Sequence, residues 1–105
     1  MQNTFKKTLL ATAAAALIAG TAHADIKVGL ILGFTGPIES LTPTMADSAE
    51  LAFAEISNSG LLLGGESITS VRADSTCVDS SAATAAAERL VNSDNVVAIM
   101  GADCS

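Results

Sequence analysis

The chain has 105 residues, half of them hydrophobic, with three Phe and neither Tyr nor Trp, so it holds at most one domain whose core rests on aliphatic side chains. Lys6 and Lys7 fall in the first 24 residues and every acid falls later, so residues 25–105 carry three basic and eleven acidic groups, a formal charge of −8. That balance repels phosphate backbones and argues against a nucleic-acid partner.

Residues 1–24 read as a cleavable signal peptide. Lys6 and Lys7 form a positive start, and Thr8 to Gly20 is an uncharged, mostly apolar run of about 13 residues, short of the roughly 20 that span a hydrocarbon core. Ala22-His23-Ala24 then sets small residues where a signal peptidase accepts them, leaving Asp25 as the new N-terminus. Asp25, not a lipid-accepting cysteine, directly follows the cleavage point, so the expected product is exported and not anchored in a membrane.

Ile26 to Leu32 is apolar apart from Lys27, the pattern of a strand covered on both faces. Gly33-Phe34-Thr35-Gly36-Pro37 breaks it, and Pro37 and Pro43 bracket a polar loop. Met45, Ala49, Ala52, Phe53 and Ile56 then share one face of a helix of about 13–15 residues, with Asp47, Glu50 and Glu55 off that face. Thr42 or Thr44 is placed to cap it, and Asn58-Ser59-Gly60 to stop it. Leu61 to Gly65 reads as a turn with an apolar plug.

Ile68 to Ala73 is the second strand, followed by a polar stretch carrying Cys77. Ser80 or Ser81 is expected to cap a second helix to about Asn92, with Ala83, Ala86, Ala87 and Leu90 on a narrow face suited to close packing. Val96 to Met100 is the third strand, and Gly101-Ala102-Asp103-Cys104-Ser105 turns out of it. The order β-α-β-α-β, with long connections, predicts a parallel α/β sheet. Three strands and two helices are fewer than a doubly wound domain requires, so the expectation is an N-terminal fragment of such a domain.

In a cytosolic protein Cys77 and Cys104 would more often be buried thiols or a redox pair; in an exported one an even count points to a disulfide. Closing that 27-residue separation stabilises a fold by about 3.5 kcal/mol on the chain-entropy estimate. A zinc site is the weaker alternative, because the sole histidine, His23, lies in the leader.

Enzyme chemistry finds no support. Gly29, Gly33 and Gly36 lack the dinucleotide-binding spacing, and Pro37 removes an amide from where phosphate would sit. There is no serine elbow, and no histidine after residue 24 to act as a base. Neither a cofactor nor a metal is expected. What remains is a loop cluster at the carboxyl ends of the strands, where open parallel sheets bind ligands. A disulfide there would preorganise amides and the Ser105 hydroxyl for an anion such as an α-carboxylate. Composition alone favours an ordinary loop serine.

The run Ile26-Lys27-Val28-Gly29-Leu30 through Thr35-Gly36-Pro37 resembles the N-terminus of the type I periplasmic binding proteins of ABC transporters. So do Ala52-Phe53-Ala54-Glu55-Ile56-Ser57, Gly60, Gly64 and Gly65, Asp74, and Val96 to Ser105. Both cysteines fall where the leucine/isoleucine/valine-binding proteins have a disulfide. The resemblance implies that residues 25–105 are the first part of lobe one of a two-lobed trap, monomeric when full length. It implies a periplasmic protein that captures an amino acid, foremost a branched-chain one, and delivers it to permease subunits. By position, Ser105 would receive the ligand's α-carboxylate, with Asp103 and Cys104 beside it. Leu41 corresponds to a loop residue that is often aromatic in the family. The alternative is the ligand-sensing domain of a receptor or regulator sharing the fold.

Overall fold

A computed structural model describes residues 25–104. The expected signal peptide, residues 1–24, and Ser105 lie outside the described residues. The elements are β1 (Ile26–Leu32), α1 (Thr42–Ser59), a 3-10 turn (Leu62–Gly64), β2 (Ile68–Asp74), α2 (Ser80–Asn92) and β3 (Ala98–Met100).

β1, apolar on both faces beyond Lys27, is the central strand. It pairs in parallel with β2, from Ile26 opposite Ile68 to Leu32 opposite Asp74, and with β3, from Val28 opposite Ala98 to Leu30 opposite Met100. The sheet order is β2-β1-β3. The chain steps from β1 to β2 in one direction and returns past β1 to reach β3. Crossovers of one hand then place α1 and α2 on opposite faces. Leu30 and Leu32 pack with Ala46, Ala49 and Phe53 on the α1 side. Ile31 and Ala73 pack with Leu90, Ala86 and Ala87 on the α2 side. A β-carbon at Gly29 would lie 2.7 Å from the Leu90 Cδ1, so any side chain there would force Leu90 of α2 to shift. The parallel α/β architecture expected from the sequence is the one present.

Several local expectations are corrected. α1 begins at Thr42, so Pro43 lies in its first turn and not in a loop; an amide missing there costs no helical hydrogen bond. Neither Thr42 nor Thr44 caps the helix: Leu41 holds the cap position without a side-chain bond, and the buried Thr42 hydroxyl donates to the Gly33 carbonyl at 3.0 Å. That anchor turns the helix so that Thr42, Ala46, Ala49 and Phe53 face the sheet. Met45 and Ile56, expected on that face, are each 44% exposed, and Ala52 is exposed too. Glu50, expected off it, is half-buried and bonds Ser70 and Arg72 of β2.

Of the leucines in the Leu61–Gly65 turn, expected as an apolar plug, only Leu62 is half-buried. Gly65 and Glu66 amides both close onto the Leu62 carbonyl, which leaves Leu61 86% and Leu63 72% exposed. The cap of α2 is Asp79, not Ser80 or Ser81: its Oδ1 accepts from the Ser81 and Ala82 amides at 2.8 and 3.3 Å. Asp79 precedes both serines and has the extended backbone that a cap requires, φ −126° and ψ 104°. β3 is at the sheet's edge, with no strand beyond it among the described residues, and Ile99 and Met100 remain exposed.

Candidate functional site

The parallel strands deliver three loops to one end of the sheet: residues 33–37 after β1, 75–79 after β2, and 101–104 after β3. Each pair of loops is tied by a separate bond. Asp74 at the end of β2 accepts the Thr35 hydroxyl at 2.6 Å and the Thr35 amide at 3.2 Å. Asp103 after β3 receives the Gly33 amide, with its two carboxylate oxygens at 3.1 and 3.3 Å. Cys77 and Cys104 form a disulfide across Cα atoms 5.3 Å apart, joining the second loop to the third. The three ties close a triangle.

Gly33 sits inside that triangle. Its amide is held by Asp103, its carbonyl by Thr42, and a β-carbon there would lie 2.7 Å from the Cys77 sulfur. Gly36, at φ 99°, lies against the Thr76 carbonyl, an approach that no side chain would permit. Thr76 and Cys77 themselves hold φ of 60° and 65°, a left-handed pair unusual for residues with a β-carbon and more so for a β-branched one. Asp74 supports it by accepting the Thr76 amide at 2.8 Å, and the Thr76 hydroxyl accepts the Asp79 amide at 3.2 Å. Backbone held in such conformations by its surroundings is typical of ligand-facing loops.

Beside the disulfide lies a cleft of about 460 Å³, lined in part by Ser75, Asp79, Ala83, Ala102 and Cys104. The Ser75 hydroxyl is buried with no hydrogen-bond partner among the described residues. Burial alone would push the Asp74 carboxyl up. The Thr35 hydroxyl and the amides of Thr76, Thr35 and Phe34 outweigh that and hold it below the usual carboxylate range. The basic side chains of the described residues are engaged or placed elsewhere. Arg72 is committed to Asp47 and Glu50, Arg89 to Asp94 and the Arg72 carbonyl, and Lys27 lies at the start of β1. Among the described residues the rim therefore brings the unpartnered Ser75 hydroxyl, and no cation, to this cleft.

Asp103 and the two cysteine sulfurs lie within 4.8 Å of one another, but sulfurs bonded to each other are not thiolate donors, and the trio is no metal centre. Asp103 and Cys104 are half-buried at the rim, as their place in the sequence implies. Leu41 stands 61% exposed at the start of α1, four residues beyond the first loop. Ser105 follows Cys104 directly but lies outside the described residues. Three roles escaped the sequence reading: Gly33 as a hub, the Thr42 hydroxyl as the donor to the Gly33 carbonyl, and Ser75 as a buried, unpartnered hydroxyl. A threonine directly before a helix's first-turn proline is the one local signal that pointed to Thr42.

Residues 25–105 match the family described as Periplasmic binding protein. The chain is 41% identical over 98 residues to "Leu/Ile/Val-binding protein homolog 7" of Brucella suis, covering 91% of this chain and 24% of that protein. It is 33% identical over 103 residues to "Amino acid binding protein" of Pseudomonas aeruginosa, covering 96% of this chain and 27% of that protein. The chain thus spans about a quarter of the length of the curated relatives it matches.

Proposed function

The chain belongs to the periplasmic binding protein family, and from that membership we propose that the complete protein is the extracytoplasmic solute-binding component of an ABC transporter. It captures an amino acid, foremost a branched-chain one, and hands it to the membrane permease; it performs no catalysis. The leader of residues 1–24 carries it to the periplasm. The relatives named for Leu/Ile/Val and for amino acid binding support the ligand class.

The observation that carries this reading is the cross-tied rim. A two-lobed trap needs one wall whose geometry does not change when the ligand arrives, since ordering loops on binding subtracts from affinity. Three loops held by two carboxylates and a disulfide make such a wall. In this reading the Ser105 amide and hydroxyl receive the α-carboxylate, with Leu41 reaching toward the ligand from the start of α1. In this reading the carboxylate is bound by hydrogen-bond donors, each worth about 1.5–3 kcal/mol to a charged group.

The test is calorimetry on the full-length protein with leucine, isoleucine and valine, beside Ser105→Ala. Binding of at least one branched-chain amino acid is expected, with affinity about 10- to 100-fold weaker in the variant, at 1.4 kcal/mol per decade. Absence of heat with every amino acid tried would sink the ligand class. Equal affinities for variant and wild type would place the carboxylate elsewhere.

A further inference from the structure

We propose that Asp103 is a positioning residue: its carboxylate does not touch the ligand but fixes, through the Gly33 amide, the turn that presents the residues after β3 to the ligand. This rests on the ligand-binding reading above. Asp103 directly precedes Cys104, so whatever orients it also orients the segment leading to Ser105. Its two oxygens face one amide across a sequence separation of 70 residues, the longest-range polar tie of the rim.

Gly33 is an effective anchor because it cannot itself move. Its carbonyl accepts the buried Thr42 hydroxyl, which is fixed in the first turn of α1. The Cys77 sulfur occupies the space where its side chain would be. The chain α1–Thr42–Gly33–Asp103 thus refers the β3-end turn to a helix on one face of the sheet. The disulfide refers the same turn to β2. A single staple leaves a loop free to swing about it, whereas two attachments to different elements define its orientation. A carboxylate already receiving an amide, in a rim that also bears Asp74 and Asp79, would be a poor neighbour for a ligand carboxylate if turned toward it. Turned onto Gly33, its charge is directed into a hydrogen bond that is stronger than a neutral one.

A neutral amide keeps the accepting oxygen, so the charge itself is dispensable where the geometry is not. In the full-length protein, Asp103→Ala is expected to weaken leucine binding about 10-fold, equivalent to 1.4 kcal/mol. Asp103→Asn is expected to restore most of the loss. In a Ser105→Ala background, Asp103→Ala should add little, because residues acting through one another are not additive. Hydrogen exchange at the Gly33 amide supplies a readout that needs no ligand: it should quicken in Asp103→Ala and slow again in Asp103→Asn. An asparagine variant as weak as the alanine one would show that the charge meets the ligand and overturn the proposal. So would full additivity with Ser105→Ala. Unchanged exchange at Gly33 would overturn it even if no amino acid bound, a result that would otherwise count against the proposed function alone.

Discussion

The two ends of this sheet are built on different principles. At the carboxyl ends of the strands, Gly33 meets Asp103, Thr35 meets Asp74, and Cys77 meets Cys104, bonds that join loops 70, 39 and 27 residues apart. At the opposite end the long-range bonds, Ile26 to the Ser67 carbonyl and Val97 to the Lys27 carbonyl, only extend the strand pairing, and the turns themselves mostly close locally. Gly60 returns to Ser57, the Leu61 amide to the Ser59 hydroxyl, Gly65 to Leu62, and Arg89 to Asp94 five residues on. Local bonds shape a turn but leave it free to shift against its neighbours. Long-range bonds fix one loop relative to another, which is what a recognition surface requires and a mere reversal of direction does not.

Breaking the covalent tie is the severest test of that contrast. Replacing Cys77 and Cys104 together by serine in the full-length protein is expected to cost about 3.5 kcal/mol in urea denaturation on the chain-entropy estimate. Ligand affinity should fall with it. Full stability without the bond would mean that the carboxylate ties hold the rim unaided.

The ion pairs on the sheet's face offer an intermediate case, since they join α1 to β2 at neither end. Arg72, with Ser70, holds the Glu50 carboxyl down to about 2, and Glu50 and Asp47 in turn hold the Arg72 guanidinium protonated more firmly than usual. A carboxyl depressed in the folded state contributes stability that is present above its unfolded value and lost as pH falls toward its folded one. Stability should therefore decline between about pH 4.5 and pH 2, and Glu50→Gln should flatten that decline. Because these side chains are part-exposed, the variant is expected to cost no more than about 1 kcal/mol at neutral pH. A wild-type acid limb superimposable on that of Glu50→Gln would remove the pair from the account.

The smallest effect belongs to the self-closed end. Leu63 is exposed at φ 43°, a region that costs an L-residue roughly 1–2 kcal/mol and glycine little. Glycine's greater chain entropy returns about 0.5–1 kcal/mol of that gain. Leu63→Gly should leave the melting temperature level or slightly raised and ligand affinity unchanged. A weaker ligand would mean that this turn is coupled to the rim after all.

The strands and the fold class were legible because continuous apolar runs such as Ile26 to Leu32 admit few other readings. The disulfide was legible from a count of two cysteines behind a leader that reads as an export signal. The rotation of α1 was not, because the helix has apolar residues on two sides: Met45, Ala52 and Ile56 on one, Ala46, Ala49 and Phe53 on the other. The choice was made by Thr42 reaching Gly33 and Glu50 reaching Arg72, contacts that no helical period contains. Asp79, Ser80 and Ser81 are three adjacent capping residues, and only the backbone angle at Asp79 separates them. At the site, Asp103 was expected beside the ligand from family position, whereas its bond to Gly33 spans most of the chain and leaves no local trace.

The bond between Cys77 and Cys104 also has a mechanical meaning. Force applied along the chain passes from one sulfur to the other, so the stretch between them, α2 and β3 included, carries no tension across its sequence separation of 27. Roughly 90 Å of extended contour is thereby withheld from any pull on the molecule. Under oxidising conditions a stretched chain would surrender β1, α1 and β2 while α2 remained slack inside a closed ring.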